Sequence, residues 1–166
     1  MGTNMPFDGV SDVALLARAR DALVSEGVNV LRCSNVWRSD AWPEGTEQPD
    51  YFNAVIEAEN GDRDPRALYE VLRVIEQRFG RKRRERWGAR TLDLDIVAMG
   101  DLVGDFDGID LPHPRMAERA FVLAPLAELA PGWTHPKLGR TAADLLAGLP
   151  PGGGYRRVSD FLPSVG

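Results

Sequence analysis

Asp93 and Asp95 stand two positions apart at the end of Arg-Lys-Arg-Arg-Glu-Arg-Trp-Gly-Ala-Arg-Thr-Leu-Asp-Leu-Asp-Ile, residues 81 to 96. In a strand this spacing puts both carboxylates on one face, roughly 6.5–7 Å apart along the chain, with Leu92, Leu94 and Ile96 in the opposite layer. Two carboxylates that converge repel each other unless a cation lies between them. Hard divalent ions take oxygen ligands, and Mg²⁺ is commonly held by one or two carboxylates together with substrate phosphates. The preceding arginines present planar donors matched to phosphate. These residue types suit metal-assisted transfer of a polyphosphate group. Asp-x-Asp alone equally describes an exposed strand whose aspartates pair with arginines. An arginine run after a helix equally describes a solvated cap at the negative end of the dipole. The adjacency of the two features reverses that balance.

A second constellation is Tyr51 and Asn53, which share a strand face by the same alternation, with Phe52, Ala54 and Ile56 on the other. Tyrosine offers a flat surface worth on the order of 1 kcal/mol to a stacked ring, and a carboxamide presents donor and acceptor side by side. Together they could read a planar nitrogen heterocycle. By themselves they also fit a half-buried strand. Further on, His113 lies between prolines in Leu-Pro-His-Pro, with Arg119 and Phe121 close behind. His135 has no evident partner in the sequence and receives no role.

Positioning these residues requires a frame that the pattern outlines. Val13, Leu15, Leu16, Ala19 and Leu23 recur at helical spacing after Ser11, a good N-cap residue, and Gly27 closes that helix. Val28 to Trp37 reads as one strand and Tyr51 to Glu59 as a second, joined by a polar loop over 38 to 50. Asp64-Pro65 opens a helix with Leu68, Val71, Leu72, Ile75 and Phe79 on one face and Gly80 as its C′ residue. Gly104 to Gly108 predicts a hairpin or short loop, and Ala120 to Leu129 a helix despite Pro125. Thr141 to Asp144 predicts a capping box. Gly152 to Gly154 reads as a flexible joint, and the tail from about 150 as poorly specified. The order of elements predicts an α+β sandwich, with helices against an antiparallel sheet.

With 166 residues, 43% of them hydrophobic and 27% charged, the chain suits one globular domain. No apolar run approaches a membrane span, and the start lacks the charged leader and apolar core of a secretory signal. Cys33 is the single cysteine, which excludes a disulfide framework and predicts a reducing cytoplasm. A net charge of −5 argues against a general nucleic-acid binder and makes the local basic segment more informative. No Gly-x-x-x-x-Gly-Lys-Ser/Thr occurs, so the chain is not a P-loop enzyme.

Three blocks carry a resemblance to a known family: Gln48-Pro-Asp-Tyr-Phe-Asn53; Glu76 followed by Gly80 to Ile96; and Leu111-Pro-His-Pro114 with Arg119-Ala-Phe121. Together they resemble the 6-hydroxymethyl-7,8-dihydropterin pyrophosphokinases of folate biosynthesis, from about Gly2 to Leu149. The resemblance implies a ferredoxin-like sandwich forming one pyrophosphokinase domain. It implies transfer of pyrophosphate from ATP to the pterin hydroxymethyl oxygen, giving AMP. Carried over by position, Asp93 and Asp95 would hold two Mg²⁺ ions, with Arg81 and Arg90 joining them in catalysis. Arg81, Arg83, Trp87, Arg90, Ile96, His113 and Arg119 would line the ATP site. Tyr51 and Phe121 would sandwich the pterin, Asn53 would bond its edge, and Asp95 would reach toward its hydroxyl. Gly2, Ser39, Asp40 and Trp42 would complete that pocket. The implied partners are the two small substrates, with no nucleic acid and no membrane, and the implied state is a cytoplasmic monomer.

The chain departs from the family's pattern in several places. Gly2-Thr3-Asn4 stands for Gly-Ser-Asn, which ends a first strand, and only Met1 precedes it here. The first strand is therefore expected to be truncated, or the chain to begin at an internal methionine of a longer protein. A version extended at this end is expected to be more stable or more active. Ala89 replaces a usual proline, Ser39-Asp40 replaces Thr-Pro, and Asp110 adds a carboxylate near the expected nucleotide site. A catalytically weakened member of the family and a ferredoxin-like RNA-binding module are the competing readings.

Overall fold

The computed structural model describes residues 1–40, 48–80, 91–150 and 154–158. In chain order its elements are β1 (Gly2–Thr3), α1 (Asp12–Ser25), β2 (Asn29–Cys33), β3 (Trp37–Ser39), β4 (Tyr51–Asn53), β5 (Ile56–Glu59), α2 (Pro65–Arg78), β6 (Gly104–Asp105), β7 (Asp110–Leu111), α3 (Ala120–Leu129), α4 (Ala142–Ala147) and β8 (Tyr155–Arg157). The architecture is α+β, with antiparallel sheets.

Local chemistry explains the helices. Asp64 caps α2 by accepting from the Ala67 N–H at 2.7 Å, and Pro65 occupies the first turn, where its missing N–H costs nothing. Gly80 follows with φ of +76°, and an added Cβ would lie 2.7 Å from the Phe7 ring, so both conformation and space demand glycine there. Ser11 is the N-cap of α1, but its hydroxyl donates to Asp12 at 3.2 Å instead of capping an N–H. Thr141 caps α4 by accepting from the Asp144 N–H and donates to the Asp144 carboxylate at 2.6 Å. Helix α3 forms across Pro125, which is buried.

Strands β1, β4, β3 and β8 form a four-stranded sheet in that order, all pairs antiparallel, while β2 pairs with β5 and β6 with β7. Two strands expected as continuous are each divided between sheets. The first leaves β2 at Cys33 and resumes as β3 at Trp37; the second breaks at Ala54–Val55. At the crossing, Ser34 donates its N–H to the Val55 carbonyl oxygen, and the Val55 N–H donates to the Ser34 hydroxyl. Side-chain and cross-segment bonds replace ladder bonds there, which lets both chains change sheet without leaving buried polar groups unpaired.

Segments near both ends of the chain join the main sheet. The tail contributes β8, whose Tyr155 opposes Ser39 at the sheet edge. The first strand survives as the two residues of β1, with Gly2 opposite Asn53 on one side and bridged to Asp93 on the other. The Asp93 segment, read as a strand, is reduced to that single bridge because β1 offers no further partner. Beyond Met1, β5 and residues 94–100 flank a largely apolar cleft of about 430 Å³, floored by Leu68 and Leu72. Among the described residues β5 pairs with β2 alone.

Helices α1 and α2 cover one face of the main sheet. Leu16, Ala19, Leu72 and Ile75 meet Val36, Ala54, Leu92 and Leu94 in one core cluster. A second cluster joins α3, α4 and Met116, with Val55 and Val97 against it. Full burial of each such aliphatic side chain stabilises the fold by about 1.5–3 kcal/mol.

Candidate active site

Alternation within each strand and register between strands assign the functional side chains to a face. Directly opposed residues in an antiparallel pair share a face. Gly2 opposes both Asn53 and Asp93; Asn53 opposes Trp37; Tyr51 opposes Ser39. Asp93, Asn53, Tyr51, Trp37 and Ser39 therefore lie on one side, while Phe52, Ala54, Leu92 and Leu94 enter the α1–α2 core on the other. Asp93 and the Tyr51–Asn53 strand, about 40 residues apart in sequence, meet on one surface.

The acidic segment is held by its backbone. The Gly2 N–H donates to the Asp93 carbonyl oxygen at 2.9 Å, and the Asp93 N–H to that of Gly2 at 2.8 Å. One residue on, the Leu94 N–H donates to Glu76 Oε1 at 2.8 Å. Glu76 is 1% exposed, and its other oxygen accepts from Arg73 at 3.2 Å, so its buried charge is compensated. With 93 and 94 pinned from two directions and Leu92 and Leu94 buried, the half-buried Asp93 and the exposed Asp95 point away from the core.

Across the surface, Asn53 and Ser39 are both buried, and the Asn53 amide donates to the Ser39 hydroxyl at 3.2 Å. This bond orients the carboxamide. Gly2 permits it: a Cβ there would sit 2.7 Å from Asn53 Oδ1. Tyr51 is half-buried. Asp40 is exposed and its N–H donates to the Gly154 carbonyl oxygen at 3.2 Å, tying the loop after β3 to the approach to β8. Helix α3 lies against β3 and β4 and carries Phe121 near its start, with the Arg119 guanidinium over the Phe121 ring at 5.6 Å from its centroid. The His113 N–H donates to the Val97 carbonyl oxygen at 2.8 Å, bringing the Leu111–Pro114 segment beside the acidic one. His113 Nδ1 accepts from the Arg115 N–H at 3.2 Å, which places its ring proton on Nε2.

Ile96 packs against the α1–α2 core and, with Asp95, lines the cleft beside β5. Arg81, Arg83, Trp87, Arg90 and Trp42 lie outside the described residues. Two residues bonded to the segments of this surface carried little or no signal in the sequence. Glu76 was marked by resemblance alone, with no role, and Glu128 had no mark at all. Their partners lie 18 and more than 90 residues away, and no local pattern announces such a pairing.

As donors for a metal, Asp93 and Asp95 supply hard carboxylate oxygens on one face. No group of three or more His, Cys, Asp or Glu residues suited to a metal occurs among the described residues. A two-carboxylate set leaves further coordination positions for water and phosphate, the arrangement Mg²⁺ prefers.

The fold and this surface define an α+β protein in which an acidic segment lies beside a polar sheet face carrying Tyr51, Asn53 and Ser39. The chain belongs to the 7,8-dihydro-6-hydroxymethylpterin-pyrophosphokinase family, whose model matches residues 1–131. It is 45% identical over 130 residues to a 2-amino-4-hydroxy-6-hydroxymethyldihydropteridine pyrophosphokinase of Synechocystis, covering 78% of this chain and 65% of that protein. It is 39% identical over 142 residues to the protein of the same name from Methylorubrum extorquens, covering 84% and 87%. A Bacillus subtilis protein of that name is 41% identical over 103 residues, covering 61% and 60%. The chain thus spans less than two thirds of the Synechocystis and Bacillus relatives, and 87% of the Methylorubrum one.

Proposed function

We propose that this chain transfers the pyrophosphoryl group of ATP to 6-hydroxymethyl-7,8-dihydropterin, yielding AMP and the pterin diphosphate for folate biosynthesis. Family membership supports the reaction, and the relatives' names state the substrate. The observation that carries the structural side is the register that sets Asp93, Asn53 and Tyr51 on one sheet face. The pterin hydroxymethyl oxygen bonds to the β-phosphorus, the bond from the α,β-bridging oxygen to that phosphorus breaks, and its electron pair leaves with AMP.

Asn53 would read the pterin edge with a carboxamide already oriented by Ser39, while Tyr51 and Phe121 flank the ring. Asp95, exposed at the end of the acidic segment, would face the hydroxymethyl group as it loses its proton. Asp93 and Asp95 would hold two Mg²⁺ ions, which when bound neutralise phosphate charge and lower the pKa of the attacking hydroxyl. His113 and Arg119 would contact the nucleotide, joined by Arg81, Arg83, Trp87 and Arg90. Such transfer asks little covalent help from protein; positioning and charge neutralisation supply most of the acceleration. The same reading takes the helices and sheet as a ferredoxin-like sandwich and the chain as a cytoplasmic monomer.

Incubating the protein with MgATP and hydroxymethyldihydropterin tests this. AMP should accumulate in step with pterin diphosphate. ADP instead of AMP, or pterin-independent hydrolysis, sinks the reading. Ligand binding without AMP would mark a weakened enzyme.

A further inference from the structure

We infer that Glu128 is a positioning residue that sets the width of the pterin slot; this rests on the reading above, that Tyr51 and Phe121 hold the ring. Glu128 lies on α3 seven residues after Phe121. That spacing is two helical turns, so both side chains lie along one face of the helix, with the buried Ala124 and Pro125 between them. Its carboxylate reaches across to the other wall. Oε1 accepts from the Asn35 N–H at 3.0 Å and from Asn35 Nδ2 at 2.6 Å; Oε2 accepts from the Trp37 indole N–H at 2.7 Å. Trp37 begins β3 and opposes Asn53, and Ser39, two residues on, opposes Tyr51. One carboxylate thereby ties the helix carrying Phe121 to the strand that sets the register of Asn53 and Tyr51.

Asn35 is 4% exposed, so its donors have no ready substitute in water if the carboxylate is removed. All three partners are donors. Only a group with acceptors alone satisfies them, and glutamine cannot: its amide NH₂ must face either Asn35 or the Trp37 indole, donor to donor. Apolar packing of Leu123 and Leu126 in the cluster with Val55 would hold α3 near the sheet without defining its distance or rotation. The hydrogen bonds supply that definition.

The full-length chain serves for the test, comparing wild type, Glu128→Gln, Trp37→Phe and the double variant in the AMP-forming reaction. Glu128→Gln should raise the KM for the pterin about tenfold, with kcat and the KM for ATP within about twofold of wild type. Adding Trp37→Phe removes the indole donor, frees the amide to turn its oxygen toward Asn35, and should recover about threefold of that loss. If Glu128→Gln does not fold, Trp37→Phe alone decides, with an expected rise of about threefold in pterin KM. An unchanged pterin KM in the folded variants, a lowered melting temperature with normal KM, or equal rises for both substrates overturns the inference. Should wild type form no AMP, the underlying reading falls and this one with it. An active wild type whose variants keep normal pterin KM removes Glu128 alone.

Discussion

The two faces of the main sheet are made by the same backbone and held in different ways. On the α1–α2 side, Val36, Ala54, Leu92 and Leu94 are packed by many interchangeable apolar contacts. On the other, Asn53, Asp93 and the strand crossing are held by a few directed hydrogen bonds to Ser39, to Gly2 and between Ser34 and Val55, with Glu76 and Glu128 accepting from neighbouring backbone and side-chain donors. A packed face tolerates one altered contact at a graded cost, since neighbours relax around it. A hydrogen-bonded face does not, because each lost partner leaves a particular group turned the wrong way. Stability should therefore track the first face and catalysis the second.

The largest separation is expected from Asp95→Ala. Its side chain is exposed, so melting temperature should hold within a few degrees while turnover falls by about a hundredfold or more and pterin affinity changes little. Near-normal AMP formation would remove Asp95 from the chemistry. The converse is Ile75→Ala on α2, which is 0% exposed. Denaturant unfolding should show a loss of about 2–5 kcal/mol, with the pterin KM of the folded fraction unchanged; a large KM effect would mean the faces are coupled.

Gly2→Ala sharpens the contrast at one backbone position. The new methyl meets Asn53 Oδ1 and must turn the carboxamide away from Ser39. Pterin KM should rise about tenfold, more than the KM for ATP, and parallel rises would show that β1 serves the whole site.

The smallest effect is reserved for a control outside both faces. Hydrogen bonding to Thr141, chiefly from its hydroxyl, holds the Asp144 pKa below the ordinary carboxylate value. A depressed folded-state pKa contributes stability that is present above the unfolded value of about 3.8 and lost as pH falls through the lower, folded one. Thr141→Val should lower the melting temperature slightly at neutral pH, with the difference from wild type shrinking below about pH 4, and AMP formation should stay at the wild-type rate. A difference that grows with acidity would contradict the cap.

How much of this was legible follows from the range of each interaction. Helix α2 could be bounded from sequence because Asp64, Pro65 and Gly80 act on backbone within three residues of themselves. The alternation of Leu92, Asp93, Leu94 and Asp95 was equally readable, since burial of one parity leaves the other outward. The division of the two long strands was not. It depends on Ser34 finding Val55, 21 residues on, and nothing in a valine-rich run announces a change of sheet. β8 escaped notice for a similar reason: Tyr155–Arg157 becomes a strand only because β3 presents an edge to it.

Residue type and spacing by themselves determined the chemistry on offer: two like-facing carboxylates, an arginine-rich approach, a tyrosine with a carboxamide, and helices with local start and stop signals. Only the tertiary structure decided that the acidic segment and the strand of Tyr51 and Asn53 share a face. It alone recruited Glu76 and Glu128 to hold the walls in place. Side-chain direction is a local property of the backbone, whereas register and long-range hydrogen bonds exist only once segments far apart in the chain have been brought together and their water removed.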